Sequence, residues 1–560
     1  MTDSTLAPDL PRPAPAPDRG PRDDAFYDLV EARLRRLVRD NPILGTAIGL
    51  HARDDELGDG GREVLLDELA ADRVHLTEVE AIDPADLSAT ARFERDLELH
   101  NVRRAIFDTD VLRIWERRSF ALDTIGDGLF LLFARDHAPL AERLTAIAGR
   151  LEGVPEHLEQ ARTRAVGPQV RTWQRIELET AADLPAFFDE IAAAANGVLA
   201  EPESRRLARA IDAAKVAVEM YTDLLEGTLA DGDDGWPIGR ERHDAMVALR
   251  AFDGHDADQI LELGWQKLTE EKAARVAAAR EVDPDASEAE VVDRIKSDQP
   301  ADFEAALVAY RTVMLRSRAH LIEHDLMTVP SDERIEVRET PEYLRNVLPF
   351  AAYFEPATFD RDPKGIYVVT PSVDGDANAM REHNYASISN TSIHEAYPGH
   401  HLQLDTARRN PSLTRLLADA PEFVEGWGMY SELMMREHGF DDDPRFRVVM
   451  HTDAIWRACR IILDVRMHRG ELTLAQAIDF MVEHTNFERP NAAAEARWYT
   501  YRPTYPLSYL LGRTLLLNLR ADEQRRLGDA FSLKGFHDTL LRNGSLPISF
   551  HRRLLAGEGV

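Results

Sequence analysis

An α-rich fold carrying one small β-element is what this sequence predicts. Apolar residues recur at three- and four-residue steps through most of the chain, the spacing of one helix face. β-Branched residues concentrate instead in one short region, between about 334 and 372. The single cysteine among 560 residues, Cys459, excludes both an intrachain disulfide framework and a cysteine-rich metal site.

Taken in order, residues 1–23 are rich in Pro, Asp and Ala, have little to bury, and read as a disordered tail. Helical periodicity begins at Asp24 with AFYDLVEARLRRLV. It returns around 62–82, 88–107, 139–165, 183–197, 203–230, 256–281 and 302–325, with breakers such as Asp-Gly, Asn-Pro and Gly-Trp-Pro between some of these stretches. RIEVRET and GIYVVTP then read as two short strands or extended segments, in a region punctuated by Pro341, Pro356 and Pro363. Helices resume at 389–406, 421–437, 446–468, 473–486 and about 505–527. Cys459, within IWRACRIILDV, reads as a small buried hydrophobe. No repeat of fixed period is present. The expected organisation is a tail (1–23), an N-terminal helical region (24–330) and a metal-binding region (331–560), the last two forming one unit.

Composition narrows the function. Hydrophobic residues make up 44% and charged residues 30%, which is globular and soluble. Against 67 basic residues stand 99 acidic ones, a net charge of −32 that argues against nucleic acid or an anionic membrane as partner. The first residues show neither a basic n-region nor an apolar h-region, and no run approaches the ~20 apolar residues of a membrane span. A cytoplasmic address is the expectation. The oligomeric state is not legible.

Four of the 19 histidines, His383, His394, His400 and His401, fall within one short segment. His394-Glu395 opens like H-E-x-x-H, in which two histidines on one helix face bind zinc and the glutamate activates water. The position four residues on is Pro398. On a straight helix His400 would lie about 120° round and about 9 Å along from His394, and His401 about 10.5 Å along. Neither could share an ion at bonds of about 2.0–2.1 Å. The pair therefore requires a kink. Pro398 supplies one by removing a helical hydrogen bond, and Gly399 gives the freedom to re-enter helix. Glu425, in EFVEGWGMYSE, offers a third ligand, and two His plus one Glu with an open position is a catalytic zinc set. Glu432, on the same face, is placed to orient a ligand histidine. Of the adjacent pair, His400 is the expected ligand because it follows the glycine, leaving His401 for support or substrate. His383, His438, His451 and His468 read as structural or exposed, and Trp427 and Met429 as helix packing.

HEAYPGHHLQ followed by FVEGWGMYSE resembles the bacterial domain-of-unknown-function family 885, a set of zincin-like proteins read as metallopeptidases. NPILGTAIGLH, YFEPATFDRDPKGIYVVTP and RIILDVRMHRGELTLAQAIDFM extend that resemblance over most of the chain after the tail. More distantly, the Gly-His pair and the later Phe-Val-Glu resemble the thimet-oligopeptidase and angiotensin-converting-enzyme group. That likeness implies a gluzincin-like helical ellipsoid with a deep central cleft. Near the end the family pattern E-x-x-R-Y-x-x-x-P-G-Q-A-L-S-Y meets EARWYTYRPTYPLSY. Glu495, Tyr499, Pro503 and Tyr509 match, whereas Trp498, Thr504, Tyr505 and Pro506 depart, which bears on substrate preference.

The chemistry expected is zinc-assisted amide hydrolysis with one ion per chain and Glu395 as general base. Candidate oxyanion donors are the tyrosines at 499, 501, 505 and 509, with Tyr499 and Tyr509 favoured by the resemblance. Arg497, Arg502 or Arg513 could hold a substrate carboxylate, and GIYVVTP could pair with an extended peptide as an edge strand. The substrate expected is a peptide or a small peptide-like molecule. Two alternatives are a zinc hydrolase of a non-peptide amide metabolite and a non-catalytic binding protein that retains the fold. The presence of Glu395 speaks against the second, because a binding relic needs no carboxylate beside its first ligand.

Overall fold

The computed structural model describes residues 10–14, 18–341, 345, 348, 351–371, 379–485 and 487–559. The chain packs as two compact units. One comprises residues 1–236 with the segments 357–363 and 411–414; the other comprises 237–356, 364–410 and 415–560. The first unit's longest segment ends at Trp236.

The first unit is helical: α1 (Asp23–Asp40), α2 (Pro42–Ile48), α3 (Arg62–Glu80), α4 (Ala89–Ile106), α5 (Ala121–Ala134), α6 (Leu140–Ala161), α7 (Arg171–Ala194) and α8 (Glu201–Thr228). α2 opens with Pro42 at its first position and the Asn41 side chain accepting from Leu44 N, a proline-plus-cap start. α5 (ALDTIGDGLFLLFA) is strongly apolar and largely buried, with Asp123 and Asp127 one turn apart on its more open side. Part of the expected disordered tail is placed. Arg12 pairs with Asp28 and Glu31 of α1 at 2.7 and 2.5 Å, and Asp18 accepts from Ala89 N at 3.0 Å. Residues 1–9 and 15–17 lie outside the described residues.

The second unit begins with α9 (Arg240–Arg250), α10 (Ala257–Val282), α11 (Glu288–Ser297) and α12 (Phe303–Glu323). Capping boxes start α10 (Asp256 with Gln259) and α11 (Ser287 with Glu290), each satisfying two helix-end donors. Three strands follow: β1 (Ile335–Glu339), β2 (Ala351–Phe354) and β3 (Gly365–Val369). Their order is β1-β3-β2, with β3 parallel to β1 (Ile335 opposite Gly365) and antiparallel to β2 (Ala351 opposite Val369). Two sequence expectations are corrected here. There is a third strand, and β3 is central and buried at all five residues, so GIYVVTP has no free edge for a substrate strand. An unbroken apolar run is what a strand covered on both faces requires.

Then come α13 (Tyr385–Glu395), α14 (His400–Ala407), the short α15 (Leu413–Leu416), α16 (Pro421–Glu437), α17 (Pro444–His468), α18 (Leu474–Thr485), α19 (Arg489–Tyr499), α20 (Ser508–Leu527), α21 (Leu533–Arg542) and α22 (Ile548–Leu555). The core of this unit runs along α10 against α17 and along α16 against α20. Both contacts are glycine-mediated. A Cβ on Gly264 of α10 would lie 2.8 Å from Ile461 of α17, and one on Gly512 of α20 would lie 1.9 Å from the Glu422 carbonyl of α16. Cys459 is buried on α17, and burial raises its thiol to about 12, as fits an inert core residue.

Candidate metal centre

α13 ends at Glu395 and α14 begins at His400, so the expected helix 389–406 is broken where Pro398-Gly399 stands. The Tyr397–Pro398 peptide is cis. Within the break Gly399 N donates to Ile393 O at 2.9 Å, and the Trp427 indole of α16 donates to Pro398 O at 2.8 Å. A Cβ on Gly399 would sit 1.7 Å from His394 O, so only glycine lets the chain double back this tightly. Trp427, expected only to pack, holds the turn from the neighbouring helix.

The break brings His394 and His400 together, with ring centroids 4.7 Å apart and planes at 89°. α16 delivers Glu425, whose Oε2 lies 3.7 Å from His394 Nε2 and 3.5 Å from His400 Nε2. One ligand-type atom from each of the three falls within 4.8 Å of the others. Glu432 accepts from His394 Nδ1 at 2.8 Å, which turns Nε2 toward Glu425. Asn390 steadies Glu432, donating to its Oε2 at 3.0 Å and to Asp453 Oδ2 at 2.8 Å. A ligand imidazole held from behind by a carboxylate is the usual outer-shell support of a zinc histidine. Burial would depress His394, but Glu425 and Glu432 outweigh it and raise its pKa to about 10. Burial would likewise raise Glu425, yet the two imidazoles hold its carboxyl well below the usual carboxylate range. Two nitrogens and a carboxylate in a buried acidic setting fit a divalent cation, and the donor set suits zinc.

Gly428, one turn from Glu425, makes room for the His394 ring. A Cβ there would meet the His394 ring at 2.6–2.8 Å. Gly428→Ala should therefore displace His394 and weaken zinc affinity about 10–100-fold, the range for disturbed ligand support. Competition with a zinc chelator measures it, with circular dichroism showing that the helices persist.

Glu395, half-buried at the end of α13, has no hydrogen-bond partner for its carboxylate among the described residues. The tyrosines divide sharply. Tyr505 donates to Glu425 Oε1 at 2.8 Å and so braces that carboxylate. Tyr499 is fully buried, donates to Glu495 at 2.5 Å and accepts from Arg460 at 3.2 Å, so its hydroxyl is not available to an oxyanion. Tyr509 lies beside Tyr505 (centroids 6.1 Å) and under the Arg460 guanidinium (4.5 Å).

Tyr505 owes its place to Thr504, which has a left-handed backbone (φ 62°). Its N donates to Asp464 at 2.8 Å, and its carbonyl and hydroxyl accept from Arg250 at 2.6 and 3.0 Å. Arg250 also reaches Glu422 of α16 at 2.7 Å. These positioning residues lie far apart in sequence, and nothing in the local pattern marks them.

His401 does not join the ligand trio. It is fully buried, with Nδ1 2.9 Å from the Tyr353 hydroxyl and Nε2 2.8 Å from Glu333 Oε2. Glu333 also accepts from Tyr397 at 2.5 Å and Arg318 at 2.7 Å, so it anchors both ends of the turn. Arg513 is paired with Glu271, and Arg502 is exposed over Tyr501. His383 faces Tyr310, His451 pairs with Glu271, and His468 meets Tyr499 O, in keeping with structural roles.

A separate group lies in the first unit: His51, Asp54 and His137 also bring ligand-type atoms within 4.8 Å. Their geometry favours an ion pair. The two imidazoles stack at 3.9 Å with planes 2° apart, so their in-plane lone pairs do not converge on one ion. His51 instead bridges Asp54 (2.8 Å) and Asp360 (2.7 Å). Burial opposes its charge, but the two carboxylates raise it from 6.5 to about 9. Because the folded value is raised, the stabilisation is complete below about pH 6.5 and is lost as pH rises through about 9. Urea unfolding of wild type against His51→Asn should show a stability gap at pH 6.5 that closes by about pH 9.5.

Among the described residues no helix is long and apolar enough to cross a membrane. Two solved structures share the fold. One, a candidate lipoprotein of unknown function from Shewanella oneidensis, is 21% identical with a TM-score of 0.78, covering 95% of this chain and 99% of its own. The other, a candidate lipoprotein from Colwellia psychrerythraea, is 17% identical with a TM-score of 0.81, covering 95% and 98%. No curated protein matches the chain. The bacterial proteins of unknown function designated DUF885 match it over residues 42–555, and the chain belongs to that family.

Proposed function

We propose that the protein is a zinc-dependent hydrolase of peptide bonds, acting on oligopeptides or peptide C-termini. The observation that carries this reading is the convergence of His394, His400 and Glu425 across the broken helix, with Glu395 next to His394 and without a hydrogen-bond partner among the described residues. A zinc ion held there supplies Lewis acidity to the scissile carbonyl and lowers the pKa of water. Glu395 takes a proton from the attacking water and returns it to the leaving amine. Tyr505 and Glu432 keep Glu425 and His394 in position, and the Tyr509 hydroxyl is the donor assigned to the developing oxyanion. A gluzincin-like ellipsoid around a deep central cleft belongs to this same reading, as does the distant kinship with thimet oligopeptidase.

The test is metal content per chain together with cleavage of a mixed peptide library. About one zinc per chain and cleavage abolished by a chelator and restored by zinc are expected. Protein that takes up no zinc overturns the proposal. Zinc-loaded protein that leaves every peptide intact favours hydrolysis of a non-peptide amide. A cytoplasmic address is part of the reading, while the neighbours described as candidate lipoproteins point to an envelope location; cell fractionation separates the two.

A further inference from the structure

Resting on the hydrolase reading, the geometry points to Arg457 as the anchor for a free carboxylate on the substrate, making the preferred substrates peptides or acylated amino acids with an unblocked C-terminus. The arginines around the metal centre mostly have close partners. Arg250 pairs with Glu422 at 2.7 Å, Arg460 with Glu495 at 2.9 Å, and Arg436 donates to Phe440 O at 2.9 Å. Arg457 differs. Its nearest carboxylate, Asp453, is 3.6 Å away, and Asp453 gives its other oxygen to Asn390 at 2.8 Å. As in Arg250 and Arg436, its Nε is enclosed without a partner among the described residues, and 14% of the side chain stays accessible.

The side chain is nevertheless held still. Its guanidinium lies over the Trp456 ring at 3.7 Å and stands 5.9 Å from the Tyr509 ring. Stacking of this kind fixes the plane of the fork, so little freedom remains to be lost when a carboxylate docks. The place is also right for the proposed chemistry. Tyr509 neighbours Tyr505, and Tyr505 donates to the ligand Glu425, so Arg457 stands one ring beyond the residue that braces the metal site. Glu395, Glu425, Glu432 and Asp453 surround the centre with negative charge, and the whole chain carries −32. A carboxylate approaching this field needs a local cation, and a bidentate Arg–carboxylate pair supplies both charge and direction.

The test compares one peptide as its free acid and as its C-terminal amide, using zinc-loaded wild type, Arg457→Met and Arg457→Lys, with zinc content measured for each. Wild type should prefer the acid by at least about 10-fold in kcat/KM, Arg457→Met should bring the ratio near one, and Arg457→Lys should keep part of it. A wild type indifferent to amidation, or an unchanged preference in zinc-replete Arg457→Met, overturns the anchor while leaving the hydrolase reading in place. Calorimetric binding of an N-acetyl dipeptide acid and its amide to Glu395→Gln protein reads the anchor without turnover. An acid preference there that disappears in the Glu395→Gln, Arg457→Met double variant supports it even if no peptide is cleaved, and equal binding of acid and amide overturns it.

Discussion

Glu395→Gln should leave zinc bound and remove turnover, lowering kcat about 10²–10⁴-fold with KM little changed, the loss expected for a general base. Glutamine keeps the shape of the side chain and cannot accept the water proton at neutral pH. The ligand atoms come from His394, His400 and Glu425, so metal content has no reason to fall. Equilibrium dialysis against zinc and single-turnover assays on the same preparation give both quantities. Retained activity would transfer the base role to another group. Loss of zinc would mean that Glu395 helps to hold the ion.

Gly399→Ala should be more damaging still, because it acts on the backbone that makes the site. The added Cβ would lie 1.7 Å from His394 O and 2.4 Å from Ile393 O, and neither carbonyl can swing aside as a side chain could. Opening the turn separates His394 from His400 and pulls Pro398 O away from the Trp427 indole. Forced overpacking typically costs about 1–3 kcal/mol, and zinc affinity should fall by more than 100-fold because two ligands no longer meet. Urea unfolding of the metal-free protein and chelator competition measure the two effects separately. Gly428→Ala, which crowds a movable ring, should lose affinity with far less loss of stability. An alanine at 399 that binds zinc normally would remove the turn from its assigned role.

Much of this site was legible in the chain. A histidine six residues after His394 cannot share an ion with it on a straight helix, so Pro398-Gly399 had to mark a break. Glu425 was offered by the amphipathic segment EFVEGWGMYSE, and Glu432 followed from it by helical spacing, seven residues on. The segment EGWG carried a further signal: two glycines inside a helix cost about 1 kcal/mol each relative to alanine, which implies a neighbour too close for a Cβ. The structure shows those neighbours as Gly512 behind Gly426 and the His394 ring beside Gly428. β2 was illegible, because AAYF is only four residues long and shows no alternation.

The sequence by itself determined that the chain is mostly helical and that the candidate ligands His394 and His400 lie on either side of a proline-glycine break. Each of these follows from local rules of period, spacing and backbone freedom. Only the tertiary structure decided which tyrosine faces the metal site. Tyr499 matches the family pattern but spends its hydroxyl on Glu495, while Tyr505, which departs from the pattern, reaches Glu425. Those partners come from α19 and α16, and the Thr504 clamp comes from α9 and α17. Tertiary packing likewise made β3 central, put His401 on Glu333 and left Arg457 with only the 3.6 Å contact to Asp453 of its own helix. A side chain's partner depends on which distant segments pack against it, and hydrophobic periodicity records only which face is buried.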